Sequence, residues 1–294
     1  MMTRLMHRSL LWLACSMLVL AVSGCTEEKA LALQSAAVQY RDQVVRALAL
    51  TASGIRAATA MPAGTADELA GKLKIRNRPI DADTLEFLLT GDAELARAAG
   101  AATRPLDELR DRVVAFSAIF DNLPRGSYLA REEVRRVIPV ALRMNQSLLN
   151  VAQQIETGTI RIADNARRIE IIEDSNAAIA MPAGAQRDLA LQRAARSVMD
   201  LSAGERQMRN DASVNLLQAA EIGNTLIGLA RNYDQVALMD VLNALNDALT
   251  LSGRISPESK SIKQALARLQ GATKAWEEDP VLKPLLSQQI TRNE

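Results

Sequence analysis

"MRNDASVNLLQAAEIGNTLIGLARNY", from Met208 to Tyr233, carries Met208, Ala212, Leu216, Ala219, Leu226, Leu229 and Tyr233 at intervals of three, four or seven residues. A helix of about 3.6 residues per turn gathers those positions onto one face, whereas a strand would scatter them over both. The same habit runs outward in both directions. Ala, Leu, Arg, Glu and Gln fill long stretches, and alternating β-branched runs are almost absent. Those residues lose little on becoming helical. The expected fold class is all-α, an elongated bundle of long antiparallel helices, with no strand of useful length.

Upstream, Glu27 to Ala60 repeats the pattern through Ala37, Tyr40, Val44, Leu48, Thr51 and Ile55, which predicts one long helix. Asp83 or Thr84 can cap a short helix to about Ala99, and Arg104-Pro105-Leu106 opens another through Asp121. The stretch from Asp121 to Tyr128 is a loop. From Leu129 the helical pattern resumes, with Pro139 either kinking it or starting a new segment, and it continues past a weak point at Gly158 to Ala180. Further helices are expected over Gln186 to Asp200, Gly204 to Asn232 and Asp234 to Leu251. The last starts at Ser256-Pro257-Glu258, runs through Ile262, Leu266, Leu269 and Thr273 to Trp276, and stops at Asp279-Pro280.

One phrase occurs twice. "AATAMPAG", Ala57 to Gly64, returns as "AAIAMPAG", Ala177 to Gly184, and Leu69-Ala70 is matched by Leu189-Ala190. Pro62 and Pro182 disfavour helix at the methionine before them, and the glycines tolerate the positive φ of a reversing chain. Both copies read as helix exits, so two similar turns are expected. A decayed duplication and convergence on one way of ending a helix both account for the likeness.

The N-terminus has a different character. Arg4, His7 and Arg8 precede an apolar run from Leu10 to Val22 that ends in small residues, the order of a secretory signal. The run falls short of the roughly 20 apolar residues of a membrane span. Its end, Val22-Ser23-Gly24-Cys25, resembles the lipobox of bacterial lipoprotein precursors. The resemblance covers the leader alone. It implies removal of residues 1–24 and lipidation of Cys25 as the first residue of the mature chain. Three acyl chains, at about 0.8 kcal/mol per buried methylene, would anchor the protein almost irreversibly. In that family an Asp after the cysteine commonly holds the protein at the inner membrane; Thr26 here implies the outer membrane. Residues 25–294 then form a periplasmic all-helical domain, either a single bundle or two sub-bundles meeting near 181–186.

Cleavage would take Arg4 and Arg8 from the 35 Lys and Arg of the chain, leaving 33 against 34 acidic side chains. Near neutrality gives no electrostatic case for nucleic acid. The arginines Arg131, Arg135, Arg136, Arg161, Arg167 and Arg168 are interleaved with acids, as on a solvated helix face. Loss of His7 and Cys15 leaves no histidine, and Cys25 is occupied by lipid, so disulfides, His or Cys zinc sites and His-dependent nucleophiles lack their parts. No cofactor or metal is expected. The mature aromatics, Trp276, Tyr40, Tyr128, Tyr233, Phe87, Phe116 and Phe120, are few for a sugar-cleaving cleft.

Several clusters admit both a chemical role and a plainer one. Glu170, Glu173 and Asp174 share a helical face that can hold a divalent cation, though surface solvation is the simpler reading. Glu132-Glu133 and Glu277-Glu278-Asp279 read as helix-end charge, and Asn122 to Ser127 as a turn lacking the glycines and lysine of a phosphate loop. Asn145, Gln146, Asn150, Asn224, Asn243 and Asn246 set amides among apolar stripes, to fix helix register or to line a groove. Trp276 is either an interface anchor or a plug at the bundle end. The expected function is a lipid-anchored, non-catalytic structural or adaptor subunit with an envelope protein partner. The alternatives are a small-molecule or lipid carrier and, behind it, a cell-wall enzyme.

Overall fold

The computed structural model describes residues 33–58, 74–75, 78–79, 93–121, 131–232, 259–284 and 286. Six helices make up nearly all of this: α1 (33–58), α2 (Ala93–Asp121), α3 (Arg131–Thr157), α4 (Asn165–Ala180), α5 (Ala185–Arg231) and α6 (Ser259–Glu278). A two-residue antiparallel ladder, β1 (Lys74–Ile75) with β2 (Arg78–Pro79), lies against α4. The fold is the all-α bundle of long helices that the periodicity requires.

Helix directions follow from paired residues. Tyr40 lies against Gly223 while Gln43 meets Gln218 and Asn215, so α1 and α5 are antiparallel. Asn145 meets Asn224 while Glu156 meets Ser213, so α3 and α5 are antiparallel. Gln146 meets Glu277 while Gln153 meets Gln270, which makes α3 and α6 antiparallel too. The antiparallel pair α3/α5 is thus the centre, with α1 in the groove on one side and α6 on the other. Each outer helix is parallel to one central helix and antiparallel to the other.

The α1 stripe is buried as expected: Ala37, Tyr40, Val44, Thr51 and Ile55 are all inside, with Leu48 packed at the edge. On α5 the buried set extends beyond one stripe to Leu217, Ala220, Ile222, Ile227 and Ala230, because three helices cover its C-terminal half. From Ala185 to Asp211 the same helix buries only Ala194. This half pairs with α4 as a helical hairpin.

A polar chain threads the core. The Tyr40 hydroxyl donates to Asn145 Oδ1 at 2.6 Å, and the Asn145 amide donates to the Ala220 carbonyl at 3.0 Å and to Asn224 Oδ1 at 3.1 Å. Thr273 Oγ1 approaches Asn224 Oδ1 at 3.5 Å. One residue from each of α1, α3, α5 and α6 takes part. Burial pushes the Tyr40 phenol well above its ordinary pKa, so it stays a donor. Its ring also meets the edge of Phe116 on α2, with centroids 5.3 Å apart. Gly223 makes room: a Cβ there would lie 2.0 Å from Asn145 Oδ1 and 2.8 Å from the Tyr40 ring.

Three boundaries differ from expectation, and at Pro139 the helix continues, one of the two outcomes the sequence allows. α2 runs through Pro105 without restarting, and α3 runs through a buried Pro139. A lost amide and a steric clash cost about 3 kcal/mol, which the packing of Leu109 and Phe116, and of Ile138 and Leu142, outweighs. The segment from Leu129 does not continue to Ala180. α3 ends at Thr157, Gly158 takes φ +80°, and the Ile160 amide returns to the Gln154 carbonyl, which lets Ile160 and Ile162 enter the core. The expected break between Asp200 and Gly204 is absent, because a lone helical glycine costs only about 1 kcal/mol and the face towards α4 stays in register across it.

The second copy of the repeated phrase is a turn between α4 and α5. Met181 is extended, as a residue before proline prefers, and Gly184 at φ +155° caps α5. The first copy from residue 59 on lies outside the described residues, as do 1–32, 122–130 with the expected loop, and the helix expected over Asp234 to Leu251.

Gly223→Ala is expected to lower unfolding free energy by about 2–4 kcal/mol, because the added methyl must displace Asn145 or Tyr40. Tyr40→Phe, which only orphans the Asn145 oxygen, should cost about 1–3 kcal/mol. Urea unfolding followed by circular dichroism measures both, and a neutral Gly223→Ala would refute the close approach.

Candidate functional site

α5 and α6 run side by side in the same direction, and between them lies an open groove of about 690 Å³. Two ion pairs mark its ends: Arg268 with Glu221 at 3.2 Å and Arg231 with Asp279 at 2.9 Å. Trp276, Leu229, Leu269 and Ala272 supply apolar lining, and Asn224 and Thr225 supply polar atoms. Trp276 sits over Gly228, partly buried against the core, so it belongs to the groove wall.

The groove is the outward end of the core polar chain. Asn224 accepts from Asn145 on its inner side, while its own amide nitrogen is buried and has no hydrogen-bond partner among the described residues. Buried polar groups are normally paired, so an orphan donor beside an open groove marks where an acceptor would be welcome. Asp279 closes the far end. It accepts from the Val281 and Leu282 amides at 2.8 and 3.3 Å as well as from Arg231, ending α6 and clipping it to α5. Burial pushes its carboxyl up, but these hydrogen bonds and the Arg231 charge outweigh that, and its pKa is lowered.

A second charged cluster joins the two helices of the α4/α5 hairpin to each other. Arg168 donates to Glu205 through Nε at 2.7 Å and Nη2 at 2.6 Å, and the Asp164 amide donates to the same carboxylate at 3.0 Å. For Glu205, burial raises the pKa, but the Arg168 bonds, the Asp164 amide and the charges of Arg168 and Arg161 prevail, and the net shift is downward. Arg161 is lowered, chiefly by burial and then by Arg168.

The residues singled out in the sequence are dispersed. Cys25, Asn122 to Ser127, Asn243 and Asn246 lie outside the described residues. Glu170 pairs with Arg167 at 2.5 Å, and Glu173 and Asp174 are exposed. Among the described residues no three His, Cys, Asp or Glu side chains gather where they could hold a metal ion. Glu132 and Glu133 stand in the first turn of α3. Glu277 accepts from Gln146, and Glu278 lies 3.8 Å from Lys274. Asn150 is exposed, whereas Asn145 and Asn224 join in the core chain. Glu221, Arg231 and Arg268 were not anticipated, since pairing across two helices leaves no mark in either helix alone. Among the described residues no helix is long and apolar enough to cross a membrane. The chain matches no protein-family model, no curated protein and no solved structure, so its groove is read from its own residues.

Because the Glu205 pKa is depressed in the folded state, its stabilisation is complete above the unfolded value of about 4.3 and is lost as pH falls through the lower folded value. Glu205→Gln is expected to cost about 1–2 kcal/mol at pH 7 and to flatten the fall in stability below about pH 4.5. Urea titrations across pH 3 to 7 test this; parallel profiles for the two proteins would remove Glu205 from the account.

Proposed function

We propose that this protein is a lipoprotein held at the outer membrane by lipid on Cys25, and that its helical bundle serves, without catalysis, as an adaptor subunit of an envelope assembly. The observation that carries the adaptor reading is the open α5/α6 groove, apolar along Trp276, Leu229 and Leu269, with Asn224 in its lining, whose buried amide has no partner among the described residues. An amphipathic helix laid in such a groove buries its apolar face, and a polar side chain on that helix can accept from Asn224. The lipid confines the groove to a thin layer, raising its effective concentration towards other envelope proteins.

Chemistry at buried acids has little to start from. The buried polar residues among those described are neutral: Gln43, Thr51, Asn145, Ser147, Asn165, Ser213, Gln218 and Thr273. A carrier is the second reading, favoured by the groove volume of about 690 Å³, which lies within the roughly 300–1,000 Å³ of small-ligand sites. Its openness along one side favours an extended protein segment over an enclosed small molecule.

Metabolic labelling with an alkyne fatty acid is expected to mark the wild type and the Cys15→Ser variant but not Cys25→Ser; equal labelling of all three would overturn the lipid assignment. A photo-crosslinking residue at Arg268 or Ala272 should capture one envelope protein repeatedly in intact cells, while the same residue at Val45, exposed on α1, should not. Capture of lipid or small-molecule adducts alone would transfer the groove to the carrier reading.

A further inference from the structure

The groove between α5 and α6 lies at the same end of the bundle as the start of α1. Tyr40 of α1 lies against Gly223 of α5, and the two helices are antiparallel. Leu33, the first described residue of α1, stands seven residues earlier, about 10 Å along the helix, and so comes level with Ala230. Arg231 and Asp279, which close the groove, pair at that level, 2.9 Å apart. From there the groove runs back as far as Glu221, about 16 Å along α5.

Two limits follow, one of reach and one of area. Eight steps separate Cys25 from Leu33, and no conformation of the chain spans more than about 29 Å in that number. α1 and α6 both pack on α5, so the groove stands about two helix spacings, roughly 20 Å, from Leu33. With lipid on Cys25, the Arg231 end of the groove is held within about 50 Å of the membrane, whatever the tilt of the bundle. The area is small. A helix about 12 Å across, laid over about 16 Å of groove, buries on the order of 500 Å² counted over both partners, well short of the roughly 1,200 Å² of stable, freely associating pairs. Such a contact is weak in dilute solution. It persists where the partner's local concentration is millimolar, as between two components confined to one membrane.

We infer that the groove takes a helix of a protein held in the same membrane, about three turns long and close outside that membrane. Its apolar stripe meets Trp276, Leu229 and Leu269, and one acceptor side chain meets the Asn224 amide. This rests on lipidation of Cys25 and on the groove as the docking site, and it adds that the partner is itself fixed to the membrane.

The test is photo-crosslinking in intact cells from Ala272, in the wild type and in a Cys25→Ser chain secreted behind an ordinary cleavable signal at matched abundance. The wild type is expected to give a product whose crosslinked peptide, sequenced by mass spectrometry, lies within about 35 residues of the captured protein's own membrane span or lipid-bearing residue, the helical length of about 50 Å. The Cys25→Ser chain should give about tenfold less product or lower. Equal product from the two chains, or a crosslinked peptide from a protein with no hold on the membrane, would overturn the inference and leave the groove to a freely diffusing partner. Crosslinks to phospholipid alone would overturn it in favour of the membrane itself. No product from either chain would overturn the docking reading as well, whereas fatty-acid labelling indifferent to Cys25 would remove the anchorage. Should the Cys25→Ser chain lose helicity by circular dichroism, the position of the wild-type crosslink decides alone.

Discussion

The hydrogen bond from Tyr40 to Asn145, continued from Asn145 to Asn224, is the constraint around which this bundle is arranged. Apolar stripes of Ala and Leu are permissive: a helix can slide or rotate by a turn and still bury much the same area. An amide and a phenol deep in the core are not, because any other register leaves a buried donor or acceptor without a partner, at about 1–3 kcal/mol each. Asn145 is fully buried, so the register of α1, α3 and α5 is set at one level of the bundle. The missing Cβ of Gly223 is the steric condition for that level to exist.

The two halves of α5 show how one helix can serve two environments. Its C-terminal half is enclosed by α1, α3 and α6 and is apolar over most of its circumference. Its N-terminal half buries only Ala194 and is fastened by charge, with Glu205 gripping Arg168 and the Asp164 amide at the start of α4. A contact held by a carboxylate and a guanidinium fixes how α4 lies along α5 more closely than a patch of alanine would, since bidentate geometry is directional.

The α5/α6 groove has a similar logic. Two parallel neighbours closed by an ion pair at each end leave a shallow channel between them, and Trp276 provides its one large aromatic surface. The polar chain that fixes register also ends here, at an Asn224 amide with no partner among the described residues. Binding in the groove would therefore touch the same network that organises the core.

Much of this fold could be read from the chain. The stripes over Ala37 to Ile55, over Ala212 to Leu229 and over Ile262 to Thr273 are buried as their spacing requires, because helical periodicity is a local property that survives in any tertiary setting. The turn at Met181 to Gly184 was legible for the same reason: proline and glycine restrict the backbone wherever they stand. The helix start expected at Pro105 and the break expected before Gly204 are absent, since each residue carries a local cost that packing across the bundle outweighs. By itself the sequence determined the helical class and the positions of the stripes. Only the tertiary structure decided that Tyr40, Asn145, Asn224 and Thr273 form one chain and that Glu221, Arg268, Arg231 and Asp279 bracket one groove. These contacts join residues as much as 105 positions apart in the chain, and the register that brings them together is a property of several helices at once.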